Sequence, residues 1–353
     1  MVSSLKLANL WRVISDVDLD RIRETADTPF ELLVVADDRE TAERVRAGLG
    51  GVDGGGVHPS VVTALPADVP NRTDVPLLVV LVSRTPELSI AMKGVDEHCI
   101  RARWPRLTLV VGTAAKEAGA RRVAESARVA VVDPVAAPGE LLEAVITQVE
   151  GDLRLALASA LPIFRPVVAA ALVDETAKAN ASFAVTTGLA ETIPVLNAPL
   201  NLGDMVILTK NQLVMGYKIA LAAGRRDDPR SMVSELLGVI GGGFLFRQVA
   251  RQLVGLIPVA GLVPKVVIAY AGTYAIGRAL TAWALNGVAI TPETITSYTS
   301  EGMGRGRVIA QQLLAQVKGG VPSPRRTLER LRGWLPSRKD RTPPQLAQLP
   351  PAE

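Results

Sequence analysis

The sequence predicts an α/β plus all-α chain: a degenerate Rossmann-like domain with a parallel sheet, followed by a hydrophobic helical bundle. Three observations carry this. Between residues 29 and 150, continuous apolar runs alternate with helical segments, and such strands belong in a parallel sheet covered on both faces. From Gly151 onward Ala and Leu dominate, and every segment up to residue 318 reads as helix. The chain has 353 residues, long enough for two domains. The expected organisation is amphipathic helices over 1–28, the α/β domain over 29–150, the bundle over 151–318 and a basic Pro/Arg-rich tail over 319–353.

In chain order, Leu7, Leu10, Trp11, Ile14, Val17 and Ile22 recur at helical spacing. They predict one or two amphipathic helices over 5–27, stopped by Pro29. Phe30–Ala36 (FELLVVA) reads as a buried strand. DDRETAERVRAGLG reads as a helix with Asp37 or Asp38 as its N-cap and Gly48 or Gly50 at its end. Gly51–Gly56 is a loop. Val75–Ser83, Leu107–Thr113 and Arg128–Asp133 are three more strands, and PGELLEAVITQVE is the helix after the last. Further helices are expected at 152–161, 163–182, 183–192, 204–223, 230–240, 244–257, 263–286 and 292–317.

Composition narrows the function classes. Hydrophobic residues make up 48% and aromatics 4%, which is apolar for a soluble protein and poor in rings that stack bases. Residues 1–150 carry 17 Lys and Arg against 22 Asp and Glu, a net −5. Residues 151–353 carry 22 against 13, a net +9. A basic second half points to anionic lipid or nucleic acid as a partner. The single cysteine, Cys99, excludes an intrachain disulfide, and a reducing, cytoplasmic setting fits. The N-terminal stretch carries acids where a signal peptide needs an apolar run, so no secretion signal is expected.

The centre of the second half is Asn201–Ala220, NLGDMVILTKNQLVMGYKIA. Asp204 is a candidate cap for a helix ending at Gly224. Thr209, Lys210, Asn211 and Gln212 go nearly once around that helix at about 100° per residue. A surface helix keeps its polar residues on one side, so this collar predicts burial against specific partners. The same region carries a resemblance. PVLNAPLNLGDMVILTKNQLVMGYKIALAAG, followed by GVIGGGFLFRQVARQLVGLIPVAGLVPKVVIAYAGTYAIGRALTAW, resembles the YcjF-like domain of unknown function, family 697. The matching stretch covers about a third of the chain, with its motifs in the family's order. The resemblance implies a helical, bacterial, membrane-linked domain that frequently follows an Era-like GTPase domain. It implies no catalytic residue.

The chemistry-bearing motifs are expected to be structural. A GTPase needs G-x-x-x-x-G-K-[ST] after its first strand, so that backbone amides and a lysine cradle phosphate. ADDRETAER stands there, and VVGTAAKE replaces the guanine-reading motif. The domain also resembles a response-regulator receiver through LLVVADD and VAVVDPVAAPGELLEAV. Ser83 stands where a receiver's phosphate-accepting Asp would be, and Asp133 where its late Lys would be. Asp37 and Asp38 are then helix caps. Gly241–Gly243 reads as a tight turn. Arg247 and Arg251 form a cationic stripe, expected to pair internally with Asp204, Glu235 or Glu191 or to lie at lipid headgroups. His58 and His98 are too isolated for a metal or a triad, and no cofactor is expected.

A membrane span needs about 18 or more apolar residues without charge. Lys265 and Arg278 interrupt the best candidate, although Ala271, Ala275 and Ala279 suit close helix packing. Residues 301–353 carry 10 basic and 4 acidic side chains, and each basic group near an anionic bilayer contributes about 1 kcal/mol. The expected function is a non-catalytic scaffold or regulator at the cytoplasmic side of the bacterial inner membrane, attached peripherally or by an inserted hairpin. A protein partner and self-association are expected, and nucleic acid is not. The alternatives are a GTPase-like switch and a fully soluble, cytoplasmic helical interaction protein.

Overall fold

The structure is a computed structural model that describes residues 17–52, 55–84, 87–111, 129–131, 138–190, 200–229, 231–232, 235–236 and 262–318. The first half folds as expected into a parallel sheet with helices. Its strands are β1 (Leu32–Ala36), β2 (Val61–Ala64), β3 (Leu78–Ser83), β4 (Arg106–Val110) and β5 (Val129–Val131), in the order β2-β1-β3-β4-β5. Leu32 is in register with Val61 on one side and Leu78 on the other.

β1 and β3 are buried along their whole length because both faces are covered. Leu33, Val35, Val79 and Leu81 pack on one face against Met92, Val95 and Cys99 of α3 (Ile90–Ala102) and against Trp104. Leu32, Val34, Leu78 and Val80 point to the other face. β2 was not expected from the sequence. It is four residues long, lies at the sheet edge, and buries only Val61 fully.

Caps define the helices of this half. Asp18 Oδ1 accepts from Arg21 N at 3.0 Å and starts α1 (Leu19–Ala26). Asp38 starts α2 (Arg39–Gly50), and Ser89 Oγ starts α3 by accepting from Met92 N at 3.2 Å. Trp104 follows the end of α3 and covers that face of the sheet.

The second half is helical: α4 (Pro138–Gln148), α5 (Leu153–Ala160), α6 (Arg165–Ala190), α7 (Leu200–Ala222), α8 (Leu262–Asn286) and α9 (Pro292–Lys318). The sequence predicts two helices over 163–192, but α6 is one helix of 26 residues. No Gly or Pro breaks it near Ser182, and the hydroxyls of Thr186 and Thr187 bond back to the carbonyls of Ser182 and Phe183. Asp204 does not start α7. That helix begins at Leu200, so Asp204 lies inside it. The expected stop is in place: Gly224 has φ +87°, and its N–H reaches Leu221 O at 2.9 Å.

α8 packs on α6, α7 and α9. Small residues permit this. A Cβ on Gly277 would lie 2.6 Å from Val173 Cγ2, so α6 and α8 approach closely there. One continuous apolar cluster runs from Leu32, Val34, Leu78 and Val80 through α4 and α5 to α6–α9. The expected boundary at Gly151 coincides with the turn between α4 and α5, but the core does not stop there. α1 joins the same core through Ile22 and Ala26. Its Arg23 donates to Asp227 O at 3.0 Å and to Arg226 O at 2.5 Å, tying α1 to the turn after α7.

Candidate functional site at the strand-order switch point

β1 connects to β2 on one side and has β3 on its other side. The order therefore reverses between β1 and β3, and in open α/β sheets the crevice beyond the carboxyl ends of such strands is where ligands bind. A cavity of about 330 Å³ lies there, lined among others by Asp37, Asp38, Thr41, Ser83, Arg84 and Ser89.

Only Asp37 and Asp38 separate the end of β1 from the start of α2. Asp38 is extended (φ −125°, ψ 145°) and turns its carboxylate onto the helix start. Its Oδ1 accepts from Thr41 N at 2.8 Å, and its Oδ2 accepts from Thr41 Oγ1 at 2.8 Å. The Thr41 backbone N–H, then its hydroxyl, hold the Asp38 carboxyl below the usual range. Arg84 donates to Thr41 Oγ1 at 2.9 Å and lies 3.5 Å from Asp38 Oδ2. Asp37 Oδ1 accepts from Ser89 Oγ at 2.6 Å. Ser83 is buried at the end of β3.

Asp37, Asp38 and Arg84 are therefore bonded to other residues of the crevice itself. The two-residue turn leaves no room for a phosphate-cradling loop of about eight residues. Asp38 is a helix cap, as the sequence predicts. Asp37 instead holds Ser89, so one carboxylate anchors α2 and the other anchors the residue that starts α3.

The collar on α7 divides. Asn211 (4% exposed) and Gln212 (6%) are buried, while Thr209 and Lys210 are partly buried. Asn211 Nδ2 donates to Asn180 Oδ1 at 2.7 Å, and Asn180 Nδ2 donates to Thr273 Oγ1 at 2.8 Å. Gln212 Nε2 reaches the same Thr273 Oγ1 at 3.2 Å. Helices α6, α7 and α8 thus meet at one polar cluster. Sequence reasoning found its α7 half. It missed Asn180, which lies in an Ala-rich run, and it gave Thr273 no part in the cluster.

Arg278 is partly buried in α8, and its guanidinium lies 5.5 Å from the centre of the Tyr298 ring. Lys265 is partly buried near the start of α8. Arg247, Arg251 and Glu191 lie outside the described residues. Glu235, one of their expected partners, is held by Arg225 at 2.6 Å. Nor did the sequence point to the phenols of α8. Tyr270 donates to Asp174 Oδ1 at 2.8 Å and Tyr274 to Glu301 Oε1 at 2.6 Å. Burial, then the accepting carboxylate, raises both phenols, Tyr274 to about 12. Cys99 is buried, and burial pushes its thiol up to about 11, away from reactivity.

His98 meets the Trp104 ring edge-on at 5.1 Å, and His58 Nδ1 accepts from Ser60 N at 3.2 Å. Among the described residues no group of acids, histidines and cysteine could hold a metal ion, and no helix is long and apolar enough to cross a membrane. Comparison of the chain with protein-family models, with curated proteins and with solved structures gave no match.

Proposed function

We propose that this protein is a non-catalytic scaffold or regulator that attaches peripherally to the cytoplasmic face of the bacterial inner membrane. The observation that carries the non-catalytic part is the switch-point crevice. Asp38 is occupied by Thr41 and Arg84, and Asp37 by Ser89. The strand order and the acidic pair after β1 favour the receiver-like resemblance over the GTPase-like one. The α/β half then serves as a rigid platform for another protein. The membrane part is supported by the net +9 of residues 151–353 and by the resemblance of residues 193–283 to the YcjF-like family.

Two experiments test this reading. Fluorescent GTP and GDP titrated into the protein should give no saturable signal; saturable binding would restore the nucleotide switch. Membranes from the native host should release the protein in high salt, as an electrostatic attachment does. Retention through alkaline carbonate would mean insertion. Recovery in the soluble fraction from the outset would favour the second reading, a fully soluble interaction protein. One observation speaks for that second reading: α6–α9 contribute buried apolar residues to a single core with the sheet.

A further inference from the structure

The cluster between α6, α7 and α8 does not close its hydrogen bonds within the protein. Thr273 Oγ1 is saturated. It accepts from Asn180 Nδ2 and Gln212 Nε2, and it donates to Ala269 O at 2.8 Å. Asn180 Oδ1 receives Asn211 Nδ2. The outer oxygens, Asn211 Oδ1 and Gln212 Oε1, are buried and have no hydrogen-bond partner in the protein. Turning the amides over does not remove the mismatch. Exchanging oxygen and nitrogen in Asn180 and Asn211 together preserves their mutual bond and leaves the Asn211 amino group outermost instead. The outer edge of Asn211 is polar and unmatched in either orientation.

We propose that Asn211 Oδ1 and Gln212 Oε1 each accept from an internal water, a small neutral hydrogen-bond donor, which completes the Asn180–Asn211–Gln212–Thr273 network. Leaving a buried acceptor unmet costs more than holding a water in place. The chemistry selects water over a cation. A hard cation draws on six or more oxygens, and these two side chains offer only one free neutral oxygen each. No Asp or Glu among the described residues bonds to the four side chains, so a buried positive charge would be uncompensated. A water brings two donors and no net charge, so it meets a neutral buried acceptor without a counter-charge.

The test is a crystal structure of the full chain, at a resolution that places ordered waters, for the wild type and for Gln212→Met. The wild type should show solvent peaks within hydrogen-bond distance of both oxygens. The Met variant should lose the peak at residue 212 and keep the one at Asn211. A dry site, or a protein donor occupying it, would overturn the proposal. Crystals soaked in a rubidium salt supply a second arm, in which an anomalous peak at these oxygens would replace water with a cation. If Gln212→Met does not fold, the wild-type crystals decide alone. Water-to-amide cross-relaxation at the Asn211 and Gln212 amino protons gives the solution counterpart, and its absence counts against the site.

Discussion

Asn211 shows what one side chain does in a buried cluster. It supplies the hydrogen that Asn180 Oδ1 receives, in a place closed to solvent. Asn211→Leu keeps the volume but strands that acceptor. We expect a loss of about 1–3 kcal/mol, measured by chemical denaturation; an unchanged midpoint would mean that the contact is not maintained. Asp38 acts at the surface. Its depressed folded-state pKa stabilises the fold above the unfolded value of about 3.9, and that contribution is lost as pH falls through the lower, folded value. Asp38→Ala should therefore lower the melting temperature at neutral pH, with the gap to wild type narrowing below about pH 4. A gap that is constant with pH would mean that charge is not what Asp38 contributes. Both residues were legible for the same reason: a polar side chain in an apolar helix, or an acid before one, has few local explanations. Asn180 and Tyr270 were not legible, because their partners lie 93 and 96 positions away.

At the scale of elements, legibility followed length and punctuation. β1 and β3 were plain because short apolar runs alternating with helical segments are the pattern of a parallel sheet covered on both faces. β2 was missed because an edge strand four residues long with one fully buried side chain leaves little pattern to read. The expected division of α6 after Ser182 has no backbone cause, since neither Gly nor Pro stands there and the helix runs on from Arg165 to Ala190. α7 was started too late because Asp204 has the chemistry of a cap, while the helix had already begun at Leu200. What spacing alone understated is how closely the helices pack. Gly277 faces Val173 so closely that an added methyl overlaps it. Gly277→Ala should cost about 1–3 kcal/mol by overpacking. Adding Val173→Ala should recover part of that loss, because the two sites share one contact. Strict additivity in the double-mutant cycle would refute the assignment of the cost to this pair.

At the scale of the molecule, the two structural classes are joined by what they bury. The sheet face, α1, α4 and α5 contribute to the same apolar cluster as α6–α9. A cut near Gly151 would expose both sides of that cluster. Apolar burial drives folding in proportion to the area removed from water, so neither half keeps its stabilisation alone. The chain should therefore unfold as one cooperative unit despite its mixed architecture. Two tryptophans can report this separately. Trp104 packs against the far face of the sheet, and Trp283 packs on the shared core from α8, with Arg225 5.4 Å from its ring centre. We would build two single-tryptophan variants, each keeping one of these rings and replacing the other three tryptophans with Phe. Their fluorescence is then followed through the same denaturant series. Coincident transitions are expected, with one midpoint and one slope. If Trp104 reports an earlier or later transition than Trp283, the halves are energetically separate, and the α/β unit is a domain carried by the helices rather than built into them.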